Sequence, residues 1–159
     1  MKAYTINEIK TELEQSNTKK LFSLCLKLAK FKKENKELLA FLLFESGDVS
    51  AYIEKINAET REYFSDINNS NAYYIKKSVR KILRHINKYI KFIALKQAEA
   101  EIRIYFCNCM IDYSMPFHKS RQLLKIYESQ LNKIEVTLLN LHPDLQYDLR
   151  KHLKVRTSK

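Results

Sequence analysis

The chain has 159 residues, 45% hydrophobic and 30% charged, with a net charge of +11, a balance that fits a globular chain rather than a disordered one. One Gly and two Pro cannot supply the turns that a strand-rich fold needs every eight to twelve residues or so, which leaves long helices. Three cysteines, Cys25, Cys107 and Cys109, form no disulfide framework, and the longest apolar run, seven residues from Leu38 to Phe44, is far short of the roughly 20 a membrane span needs.

The opening segment, Met1 to Glu8, lacks the apolar run of a secretory signal, so a cytoplasmic protein with no membrane partner is expected. Thr5 suits the N-cap of a first helix, with Glu8 three residues on completing a capping box and Ile6, Ile9 and Leu13 at helical spacing. A second helix runs from Asn17 or Thr18 to about Phe31. Its apolar face is Leu21, Leu24, Cys25, Leu28 and Phe31, which puts Cys25 in the core. After the charged segment Lys32 to Asn35, a third helix extends to Glu45. There Leu38 to Phe44 is apolar on every side and is expected at the centre of the core.

Gly47, the sole glycine, stands where a helix C-cap takes a positive φ, and Asp48 caps a fourth helix reaching about Asp66. Asn68 to Asn71 is the clearest loop. A fifth helix covers Ala72 to about Ile93, and a break near Ala94 to Lys96 precedes a sixth that ends near Tyr113. Pro116 fits the first turn of a seventh helix, to about Leu141, and Pro143 opens a short eighth, to His152. A basic tail, residues 154–159, is expected to fray.

These elements predict an all-α fold over residues 1–153, read as one domain. Seven or eight stacked antiparallel helices would form an irregular bundle or a short HEAT-like α-solenoid. No repeat period supports the solenoid specifically. In the seventh helix Phe117, Leu124, Leu131 and Leu138 recur every seven residues, with Tyr127, Ile134 and Leu141 between them. That seam suits packing within the chain, and a monomer, ahead of a homodimer.

The charge is uneven. Residues 1–70 are neutral in balance, so the whole +11 lies in residues 71–159. Between Asp66 and Glu99 there is no acidic residue. Lys76, Lys77, Arg80, Lys81, Arg84, Lys88 and Lys91 fall within an arc of about 140° on the fifth helix, while Ile75, Val79, Ile82, Leu83, Ile86, Ile90 and Ile93 lie opposite. Like charges at i,i+3 and i,i+4 repel, and an ordinary solvated face mixes Glu with Lys to avoid it. The stripe suits an acidic partner, with the evenly spaced phosphates of nucleic acid first and an acidic protein surface next. The plainer readings are a solvated face balanced by acidic residues of neighbouring helices, or a genome rich in Lys, Asn and Ile codons.

Chemistry has little to build on. His85, His118, His142 and His152 form no metal-binding pair. Cys107 and Cys109, two apart on a helix, point about 200° away from one another and read as buried thiols. No glycine-rich phosphate loop exists. No catalytic residue, metal or cofactor is assigned, and Glu99 with Arg103 reads as a surface ion pair. The leading expectation is a non-enzymatic binding module for a polyanion or an acidic protein face. The alternative is an adaptor joining protein partners, with the stripe incidental; a small enzyme on a helical scaffold ranks third.

Overall fold

The computed structural model describes residues 4–68 and 70–154. The fold is all-α: 82% helical, with eight α-helices and no strand among the described residues. Its contacts divide into two compact units, residues 1–45 and 46–159, within the span read from the sequence as one domain.

In the first unit, α1 (Ile6–Glu14), α2 (Thr18–Phe31) and α3 (Lys33–Ala40) are followed by a π-helical turn, Phe41–Glu45. The capping box forms as expected: the Glu8 carboxylate accepts from the Thr5 N–H at 2.6 Å, and Thr5 Oγ1 accepts from the Glu8 N–H at 3.3 Å. The bond from the Thr5 N–H, and after it one from the Thr5 hydroxyl at 2.8 Å, hold the Glu8 carboxyl below its ordinary range. Asn17 caps α2 by accepting from the Lys20 N–H. Lys32 is extended and turns the chain, and the Asn35 amide donates back to the Leu28 carbonyl at 2.9 Å, tying α3 to α2.

Burial in this unit departs from expectation. α1, α2 and α3 contain no buried residue. Within the run Leu38 to Phe44 only Phe41 is buried; Leu43 is 64% and Phe44 80% exposed. A run that is apolar all round is covered only if helices pack on every side, and in this unit α3 packs on α2 alone among the helices with substantial contact. Cys25 is likewise exposed rather than in the core. Its helix has an apolar arc wider than α3, which packs beside it, can cover.

In the second unit, α4 (Val49–Ser65), α5 (Ala72–Ile93), α6 (Lys96–Asp112), a 3-10 turn (Phe117–Lys119), α7 (Arg121–Leu138) and α8 (Pro143–His152) follow in order. Helix α6 is central: α4, α5, α7 and α8 all pack on it. The arrangement is an all-α helical bundle. Its sequence explains the position, since Ile102, Arg103, Ile104, Phe106, Cys107, Cys109 and Met110 are buried on all sides.

Asp48 caps α4 as expected, but Gly47 takes no positive φ. The left-handed C-cap is instead Ala94, φ 54°, which ends α5 where the sequence shows a break without a breaker. Pro116 introduces the 3-10 turn rather than α7, so Phe117 lies outside that helix, and Ser120 caps it. The buried face of α7 is Leu123, Tyr127, Gln130, Ile134, Thr137 and Leu138, turned from the expected heptad so that Leu124 and Leu131 are only half-buried. This face packs on α6. Helix α8 is held by the Asn108 amide donating to the His152 carbonyl at 2.7 Å and by Arg150 on Glu135 at 2.6 Å. Lys154, assigned by sequence to the frayed tail, is anchored to Asp112 at 2.6 Å. Residues 155–159 of that tail, with Met1 to Ala3 and Asn69, lie outside the described residues.

Candidate nucleic-acid interface

Helix α5 divides into two faces for a simple reason. Its β-branched and leucine positions recur every three or four residues, and Ile75, Val79, Ile82, Ile86, Ile90 and Ile93 are all buried. The seven cations are thereby turned outward: Lys77, Arg80, Lys81, Arg84 and Lys91 are exposed, Lys76 and Lys88 half-buried. From Lys76 to Lys91 the stripe runs about 22 Å at 1.5 Å per residue. The first turn of α5 carries no acidic residue to offset the positive end of the helix dipole.

Some basic residues of this unit are ion-paired, and others, Lys119, Arg121, Lys125 and Lys133 among them, have no carboxylate within 4 Å among the described residues. Lys96 meets Glu99 at 3.4 Å, Arg150 meets Glu135 and Lys154 meets Asp112, each within 4 Å. Among the described residues, none of Lys76, Lys77, Arg80, Lys81, Arg84 or Lys91 has a carboxylate that close. Three stripe lysines rest beside aromatic rings: Lys76 at 5.4 Å from the Tyr73 ring centre, Lys81 at 5.9 Å from Tyr63, and Lys88 at 4.4 Å from Tyr89. One carboxylate from α4, Glu59, reaches the border of the stripe, 3.0 Å from His85 Nε2.

Arg103 bounds the stripe on the other side. Sequence spacing read it with Glu99 as a surface pair; in the structure it is 5% exposed. Its Nε and Nη2 donate to Glu99 Oε1 at 3.0 and 2.9 Å, and its Nη1 to Asn87 Oδ1 at 3.1 Å and Gln130 Oε1 at 2.7 Å. Burial pushes the Glu99 carboxyl up, but the hydrogen bonds and charge of Arg103, with Lys96, outweigh it and hold the pKa low. Arg103 is thus a structural residue that cross-links α5, α6 and α7, and it adds nothing to the exposed charge.

The aromatic residues are what the sequence reading missed. Tyr73 and Tyr74, in the first turn of α5, are 57% and 49% exposed, with ring centres 5.6 Å apart. Tyr63 of α4, 37% exposed, meets His85 edge-on at 5.0 Å beside Lys81. Tyr73 was visible in the wheel of α5; Tyr63 was not, since only the packing of α4 on α5 brings it there.

The two thiols of α6 are shielded. Burial raises the Cys107 thiol to about 12 and Cys109 to about 11, so neither forms a thiolate near neutral pH. Among the described residues no cluster of three His, Cys, Asp or Glu is placed to hold a metal ion, and no helix is long and apolar enough to cross a membrane. The chain matches no protein-family model, no curated protein and no solved structure.

Proposed function

We propose that the chain is a non-enzymatic binding module, working in the cytoplasm, that engages the backbone of a nucleic acid through Lys76, Lys77, Arg80, Lys81, Arg84, Lys88 and Lys91. The observation that carries this reading is the unbroken line of like charge: seven cations share one face of α5, no acidic residue lies between Asp66 and Glu99, and six of the seven cations have no carboxylate within 4 Å among the described residues. Helical repulsion costs about 0.2–0.5 kcal/mol for each like-charged pair at i,i+4, and an anionic partner removes that cost. A row of phosphates rewards it further by counterion release.

Salt dependence is the test. With about five cations on phosphates, log K falls against log salt with a slope of about −4.5 on duplex or about −3.5 on single strand. The variant Lys77→Glu/Arg80→Glu/Arg84→Glu should lose binding and keep its melting temperature, because all three side chains are exposed and none is ion-paired with a described carboxylate. A folded triple variant that binds as well as wild type would sink the reading. Loss of folding would sink it too, by showing that the stripe serves the fold.

A second reading, the adaptor, is favoured by one observation: Phe22, Leu28, Phe31, Leu43 and Phe44 of the first unit are exposed apolar side chains. Apolar surface of this kind suits a protein partner. On this reading nucleic-acid binding is weak, shallow in salt and unchanged by the three reversals.

A further inference from the structure

We propose that the partner of the α5 face is a single-stranded nucleic acid, whose bases stack on Tyr73, Tyr74 and Tyr63 while its phosphates follow Lys77, Arg80 and Arg84. This rests on the backbone-binding reading above and names its substrate class. The rings carry the argument. None of the three is buried, and two of them lie under a stripe cation: Lys76 over Tyr73, Lys81 over Tyr63. A base laid on such a ring has its phosphate within reach of the neighbouring ammonium.

The placement also forms a track. Tyr74 and Lys81 are seven residues apart and so share one side of α5, about 10 Å from one another. Lys81 in turn touches Tyr63, so aromatic surface borders the α4 side of the cations at two points. A duplex keeps its base faces inside the stack and gains nothing from these rings. A single strand offers free faces and phosphates together.

Reading of base edges is poorly provided for. Asn87, the only amide side chain of α5, is engaged by Arg103 at 3.1 Å. Stacking needs no such group, because every base has a π-face, so the binding tolerates any sequence.

The test uses the full chain and fluorescence anisotropy with labelled oligodeoxyuridylate, oligouridylate and a duplex of equal length. The wild type should bind the single strands about 10-fold or more tighter than the duplex. Tyr73→Ala/Tyr74→Ala should lose about 10-fold or more on single strands, while duplex affinity and melting temperature hold. Tyr73→Phe/Tyr74→Phe should behave as wild type, since the ring and not the hydroxyl is used. The tighter of the two single strands identifies the sugar, and either supports the proposal. Equal affinity for duplex and single strands, or an alanine variant that binds single strands unimpaired, overturns the stacking while the charge-reversal result still upholds the stripe. If no probe binds with a salt-dependent affinity, the stripe reading falls and takes this one with it.

Discussion

Arg103 shows how much one buried charge depends on its neighbours. Four hydrogen bonds to Glu99, Asn87 and Gln130 compensate the loss of water around its guanidinium. Replacing it by Met leaves Gln130, 1% exposed, and the partly buried Glu99 without their donor. Arg103→Met should therefore cost about 3–5 kcal/mol in urea unfolding. A loss under about 1 kcal/mol would equate the network with an exposed pair. The pH dependence has a definite sign. Glu99 is depressed from 4.5 in the fold, so its contribution is complete above that value and is lost as pH falls through the folded pKa. In Arg103→Met the hydrogen bonds and charge that lower the Glu99 carboxyl most are gone and burial still raises it, so that acid-side loss of stability should shrink.

At the scale of elements, the two ends where the chain needs or lacks glycine are exchanged relative to expectation. Ala94 ends α5 in the left-handed region, where a Cβ costs roughly 1–2 kcal/mol. Gly47 takes no positive φ, and a Cβ there would meet nothing within 4 Å. Ala94→Gly should raise stability by about 1 kcal/mol, and Gly47→Ala by about 0.5 kcal/mol, through a less flexible unfolded chain. Opposite signs in thermal unfolding would refute both. The pair also marks what the sequence can convey. Caps at Thr5 and Asp48 are legible because side chain and amide lie within three residues. The stripe is legible because period alone separates it from the isoleucines. The burial of Arg103 is not, since Asn87 and Gln130 are 16 and 27 residues away. Nor is the exposure of Leu43 and Phe44, because a run that is apolar on all sides reads as core whether or not other helices cover it.

For the molecule as a whole, burial is distributed unequally, and stability should follow it. Helices α1, α2 and α3 have no buried residue; α5 has six and α6 nine. Opening a helix costs about the apolar area it returns to water, roughly 25 cal/mol per Å², less the conformational entropy regained. For α1 to α3 the first quantity is small, because most of their apolar side chains already meet solvent. For α6 it is the core itself. Native-state hydrogen exchange should therefore find residues 6–40 opening locally at a small fraction of the global free energy. Amides of α5 and α6 should exchange only through global unfolding. Added denaturant should speed exchange in α6 steeply and in α1 to α3 weakly, since little new surface appears when the latter open. Equal protection and equal denaturant dependence in both units would show residues 1–45 unfolding cooperatively with the remainder. The exposed Phe31 and Phe44 would then require cover that this packing does not supply.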